Sequence, residues 1–153
     1  MKRRPLLVLC GIISSLLLFS EMNAQSIPAS VRREIGSQLS CEEINKDIAA
    51  TKIGPAKNGY VAQCGGGGEA LVFEKTPRGI KRIFESETQM NGSIGLSKKA
   101  YLGYYEIYVE AHGSWYWYES TYRWNGNRFL MNRSRSRECE LTPQGKLRNC
   151  KYS

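Results

Sequence analysis

Apolar residues follow three successive patterns along the chain. From Leu6 to Phe19 they form an uninterrupted apolar-to-neutral run of 14 residues. From 25 to 54 they recur at spacing four, first as Val31, Ile35 and Leu39, then as Ile44 and Ile48. From about residue 60 they alternate with polar residues and break at Gly, Pro and Asn. The first run follows Lys2, Arg3 and Arg4 and ends in Ser20 to Ala24. That is the layout of a secretory signal peptide over 1–24, and it is short of the roughly 20 residues a membrane span needs.

The second pattern predicts helices over 25–54. Pro28 suits a first helical turn, and one apolar stripe follows at helical spacing. Ser40 with Glu43 is a capping-box pair that would start a second helix, and Gly54-Pro55 would stop it. The third pattern predicts strands over 60–153. Gly65 to Gly68 has no following GK[ST] and leads into a strand pattern, so it reads as a bulged approach to a sheet. Ala70 to Lys75, the turn Thr76-Pro77-Arg78-Gly79, and Ile80 to Glu85 make a hairpin. Residues 86 to 99 read as a polar loop. Tyr104 to Ala111 alternates, with Tyr105, Ile107, Val109 and Ala111 on one face. Trp115 to Trp124 is the next strand, Asn125-Gly126 a hairpin turn, and Arg128 to Glu140 the return strand. Pro143-Gln144-Gly145 turns the chain into a final strand ending at Cys150. The expected fold is α+β, with N-terminal helices packed on an antiparallel β-meander of about five to six strands. It forms a single secreted domain over 25–153.

Cysteine usage agrees with export. Of five cysteines, Cys10 leaves with the signal and Cys41, Cys64, Cys139 and Cys150 remain. An even count in an exported chain reads as two disulfides. Four cysteines allow three pairings; proximity in sequence favours Cys41–Cys64 and Cys139–Cys150. No metal site is expected, since there is no C-x-x-C pair and His112 is the sole histidine. No cofactor is expected either, because no phosphate-binding or hydrolase motif is present.

The net charge is +8 for the whole chain. Loss of residues 1–24 removes three basic residues and Glu21, leaving 19 against 13 and a charge of +6. This favours anionic partners. Two surface features sharpen that expectation. Aromatic residues crowd 101–129, and alternation separates Trp115 and Trp117 from Tyr116, Tyr118, Tyr122 and Trp124, so both faces of that strand begin aromatic. Arg133, Arg135 and Arg137 alternate with Ser134 and Ser136 and would form one row on a strand, about 7 Å apart, suited to carboxylate or phosphate. His112 and Glu110 share a strand face, the sole arrangement that could serve acid–base hydrolysis; local turn chemistry at Gly113 explains His112 without it.

The stretch Gly103-Tyr104-Tyr105-Glu106-Ile107, followed by Tyr122-Arg123-Trp124-Asn125-Gly126-Asn127-Arg128-Phe129, resembles a loose group of small uncharacterised secreted bacterial proteins. These have an N-terminal helix and hairpins similar to FG-GAP propeller repeats. The likeness spans about residues 28 to 131. It implies architecture and no catalytic residue. Members often carry an Asp-rich calcium-like loop before the first strand. Here that stretch is Gly54-Pro55-Ala56-Lys57-Asn58-Gly59, without an acidic ligand, so no calcium site is carried over.

Together these readings point to an exported, non-catalytic binding module, periplasmic or extracellular, for an anionic or carbohydrate-bearing envelope or extracellular ligand. Its expected contact residues are Arg133, Arg135, Arg137, Trp115 and Trp117. The partner would be an anionic polymer, a glycan or a protein. The alternative is a protein inhibitor of an envelope or host hydrolase, and a small secreted hydrolase or ribonuclease is the third reading.

Overall fold

A computed structural model describes residues 26–42, 46–88 and 92–152. The expected signal peptide lies outside the described residues, as do residues 43–45, which include Glu43 and Ile44 of the expected second helix. The architecture is mostly antiparallel β, which corrects the expectation of helices packed on a single meander. Among the described residues, one helix, α1 (Ala29–Gly36), precedes ten strands: β1 (Lys46–Gly54), β2 (Lys57–Cys64), β3 (Gly68–Thr76), β4 (Gly79–Thr88), β5 (Ser93–Tyr101), β6 (Tyr104–His112), β7 (Tyr116–Trp124), β8 (Phe129–Met131), β9 (Arg137–Leu141) and β10 (Leu147–Tyr152). They form a four-stranded sheet, β1-β2-β3-β4, and a six-stranded sheet, β10-β9-β7-β6-β5, with β8 also paired to β7.

The segment expected to be helical over 25–54 divides. Pro28 precedes α1, and the carbonyl of Pro28 accepts the Arg32 N–H. Ile35 and Leu39 of the apolar stripe are buried, with Val31 packed beside them. Lys46 to Gly54 is a strand instead. Every position from Lys46 to Lys52 faces a residue of β2 in regular register, and that ladder overrides the weak local preference of an Ala-Ala-Thr-Lys sequence. Pro55-Ala56 closes a hairpin to β2 rather than ending a helix. The polar stretch read as a loop over 86–99 is likewise strand on both sides of residues 89–91, in β4 and β5. The Thr76 to Gly79 hairpin forms where the turn residues placed it.

The four-stranded sheet is covered on both faces. On one face, Ile48, Tyr60, Ala62, Cys64, Leu71 and Phe73 pack against Ile35 and Leu39 of the N-terminal segment. The Cys41–Cys64 disulfide ties that segment to β2. The opposite face meets the six-stranded sheet: Ile53, Val72 and Phe84 pack with Ile107 and Val109 of β6. Phe84 sits edge-on to Tyr122 at 4.8 Å and to Phe129 at 5.8 Å. This core takes in Tyr104, Tyr122, Trp124 and Phe129 from the aromatic stretch over 101–129. Tyr122, Trp124 and Phe129 face inward, so Trp117 and its neighbours on the other parity of β7 face outward. The Cys139–Cys150 disulfide clips β9 to β10 at the far edge.

Candidate site on the outer face of the six-stranded sheet

The outer face is built by register. Glu106 lies beside Arg123, because Ile107 pairs with Tyr122; Glu110 pairs with Glu119, and Glu119 with Arg137. Tyr108 covers Gly95 of β5, where any Cβ would collide with its ring. One row across the sheet is therefore Ser93, Glu110, Glu119, Arg137 and Tyr152. Glu110 and Glu119 are like charges directly opposite, which ordinarily destabilises a ladder. Each is answered locally: Ser93 Oγ donates to Glu110 at 3.0 Å, and Arg137 lies 4.0 Å from Glu119.

At one end of this face Glu106 is buried, with no exposed side-chain surface. Arg123 donates to Glu106 Oε1 through Nε at 3.3 Å and Nη2 at 3.1 Å, and Arg135 donates to Oε2 at 2.6 Å. The Arg123 guanidinium also stacks on Tyr101 at 3.6 Å. One carboxylate thus holds two guanidinium groups and leaves a net positive charge. Further along, Arg137 stacks on Trp117 at 4.8 Å. Arg123, Arg135 and Arg137 keep 37%, 38% and 38% of their side-chain surface accessible.

The arginine row expected on a continuous strand from Arg128 to Glu140 does not form. The chain leaves β7 at a 3-10 turn over Arg133–Arg135 and rejoins it as β9. Thr121 explains the break. Its N–H donates to Ser136 Oγ at 3.1 Å, its carbonyl accepts the Asn132 N–H at 2.6 Å, and its hydroxyl donates to the Arg135 carbonyl at 3.3 Å. Side-chain bonds here replace the ladder. Arg133 is exposed on the turn, Arg135 reaches in to Glu106, and Arg137 alone stands on a strand. Asn132 Nδ2 is buried without a hydrogen-bond partner among the described residues. Trp115 is 68% exposed just before β7, its carbonyl accepting the Leu141 N–H at 2.8 Å. Of the five expected contact residues, Trp117 and Arg137 are in contact; Arg135 belongs to the Glu106 cluster.

Sequence reading missed Tyr101, Glu106 and Arg123. The parity of Glu106 was legible, but its partner across the sheet depended on a register no local signal sets. His112 is exposed and lies opposite Trp117. Glu110, on its face, is bonded to Ser93. Among the described residues no group of three or more His, Cys, Asp or Glu side chains could hold a metal, and no helix is long and apolar enough to cross a membrane.

A second polar cluster joins the two sheets. Lys57 of β2 donates to Glu74 Oε1 of β3 at 2.6 Å, and the Tyr104 hydroxyl of β6 donates to Glu74 Oε2 at 2.8 Å. Lys57 Nζ also stands 4.5 Å over the Tyr104 ring. The hydrogen bond to Glu74 holds the Lys57 pKa above the ordinary lysine value despite partial burial. Burial alone would raise the Glu74 carboxyl, but the bonds from Lys57 and Tyr104 outweigh it and the pKa falls. Burial, then the bond to Glu74, raises the Tyr104 hydroxyl. A cleft of about 290 Å³ is lined by Ala49, Thr51 and Val61 and by Ile94 and Leu96 of β5.

Comparison with family models, with curated proteins and with solved structures found no match to this chain.

Proposed function

We propose that the protein is an exported, non-catalytic binding module that engages an anionic envelope or extracellular glycan polymer through the outer face of its six-stranded sheet. The observation that carries this reading is the state of Arg123, Arg135 and Arg137. Each is immobilised by a ring or a carboxylate, yet more than a third of each side chain stays accessible. Guanidinium groups held this way lose little entropy on meeting a carboxylate, sulfate or phosphate. Trp115, Trp117 and Tyr152 add rings that stack on sugars, and the net positive charge draws polyanions in. Two disulfides suit a periplasmic or extracellular setting.

The test is titration of the protein with dextran sulfate, polygalacturonate and neutral dextran at low and high ionic strength. Binding to the two polyanions should weaken steeply with salt, and neutral dextran should bind least. The double variant Arg133→Ser/Arg137→Ser should keep the fold and weaken polyanion binding about tenfold, or about 1.4 kcal/mol. Arg135→Ser is unsuitable as a binding variant, since it strips a partner from buried Glu106. Absence of polyanion binding by the unaltered protein at low ionic strength would end this reading. The second reading, a protein inhibitor of an envelope or host hydrolase, draws on the apolar hairpin tip at Leu102.

A further inference from the structure

The β5–β6 hairpin closes through two residues, Leu102 and Gly103, with Tyr101 paired to Tyr104. Their φ angles are 48° and 87°, the positive pair of a type I′ turn, in which Asn, Asp or Gly ordinarily fills the first position. A leucine there is strained, because its Cβ crowds the backbone in the left-handed region. Its side chain gains little in return: Leu102 is 71% exposed, the most exposed of the large apolar residues described. Neither local turn chemistry nor burial accounts for it, and such outliers concentrate at functional contacts.

The surroundings give the contact a character. The Leu102 side chain reaches the neighbouring β7–β8 tip, its Cδ1 lying 3.8 Å from where a Cβ on Gly126 would stand. That second tip runs into β8, where Leu130 and Met131 are exposed. From Lys98 to Gly103 and from Trp124 to Met131 there are three cations, Lys98, Lys99 and Arg128, and no Asp or Glu. All three are exposed. An exposed apolar turn on hairpin segments that carry three exposed cations and no acid is complementary to a pocket with an apolar floor and carboxylates at its rim.

We infer that these paired hairpin tips dock into a partner protein, with Leu102 as the anchor seated in an apolar, acid-rimmed pocket of that partner. A bilayer with anionic headgroups would also attract cations and leucine, but it makes no demand on backbone geometry. A rigid two-residue turn held in a strained conformation is useful against a shaped cavity, where preorganisation lowers the entropy of docking. The inference is independent of the polyanion reading of the outer sheet face.

The test begins with Leu102→Asn, which suits the turn. It should raise the melting temperature by about 2–6 °C; a lowered melting temperature would show that Leu102 serves the fold and would overturn the inference. A photoreactive leucine analogue is then placed at position 102, and in a control at the exposed Leu147, in the full chain expressed in its own cells. A protein adduct specific to position 102 is expected. The cross-linked protein, purified, should bind the unaltered chain and bind Leu102→Asn at least about tenfold more weakly, with the adduct mapped beside Asp or Glu. No adduct at 102, an adduct equally strong at 147, equal binding of Leu102→Asn, or binding to phosphatidylglycerol vesicles that Leu102→Asn abolishes would each overturn it. Arg133→Ser/Arg137→Ser should leave the position-102 adduct unchanged.

Discussion

Replacing Glu74 with Ala tests whether the two sheets are latched together by Lys57, Glu74 and Tyr104. The carboxylate accepts one hydrogen bond from each sheet: Lys57 on β2 at 2.6 Å and Tyr104 on β6 at 2.8 Å. Tyr104 is only 8% exposed, so its hydroxyl, once deprived of Glu74, loses a partner with little access to water. That costs about 1–3 kcal/mol. The Lys57 pair is partly solvated, with side-chain exposures of 32% and 16%, and adds about 0.5–1 kcal/mol. Glu74→Ala should therefore destabilise by about 1.5–4 kcal/mol. Tyr104→Phe removes the hydroxyl and leaves Glu74 its bond from Lys57, so it should cost about 1 kcal/mol. In the double variant the orphaned hydroxyl no longer exists, and the combined loss should fall short of the sum by about 1 kcal/mol or more. Urea unfolding at neutral pH, read by tryptophan fluorescence, measures all four corners of the cycle. Additivity within about 0.5 kcal/mol would refute the latch.

The same cluster sets a pH dependence. Against burial, the bonds from Lys57 and Tyr104 lower the Glu74 pKa from its ordinary value when folded, so its contribution is present above the unfolded value and is lost as pH falls through the folded one. Lys57 and Tyr104 titrate above their ordinary values, so their contributions hold below those values and vanish as pH rises through the folded ones. Stability measured across pH should show a plateau from about pH 5 to about pH 9 with both flanks flattened in Glu74→Ala; unchanged flanks would contradict the assignment. For the disulfides, mild reduction followed by differential alkylation should open Cys139–Cys150 first, because each bridge has one buried cysteine, Cys139 and Cys64, but Cys150 is exposed whereas Cys41 is half-buried. Subsequent loss of Cys41–Cys64, with sequence separation 23, should cost about 3 kcal/mol; initial opening of Cys41–Cys64 would reverse this ordering.

How far the fold was legible depended on whether the deciding interaction was local. Strands β6, β7 and β10 followed from alternation and turn residues, because Gly113, Asn125-Gly126 and Pro143-Gln144-Gly145 act within a few residues of where they stand. Pairing of Cys41 with Cys64 and of Cys139 with Cys150 was legible from proximity. Strand β1 was not. Ile44 and Ile48 match helical spacing, and Ala49, Ala50 and Lys52 favour a helix. What decides the segment is the ladder to Gly59, Tyr60, Val61 and Ala62, a partner that becomes visible only once Pro55-Ala56 is read as a hairpin turn. Strands β4 and β5 extend into polar stretches for the same reason: pairing with β3 and β6 supplies what their composition does not.

The arginine segment shows how one local interaction redirects a surface. Period two from Arg133 to Arg137 is a strand signal, and a strand would have set three repelling guanidinium groups in one exposed row. Ser136 is the residue that prevents it: its hydroxyl takes the Thr121 N–H and donates to the Asn132 carbonyl at 3.0 Å, so the chain turns out of the ladder. The turn swings Arg135 onto Glu106, where Arg123 already reaches from the next strand, and one buried carboxylate offsets two charges that would otherwise repel. Arg137, back on the strand, finds Trp117 and Glu119 instead. The three cations are thereby held on two supports, Arg123 and Arg135 on Glu106 and Arg137 on Trp117 and Glu119, each fixed and each partly open. Arg133 is left at the apex of the turn, exposed, where a substitution tests charge without disturbing the support beneath it.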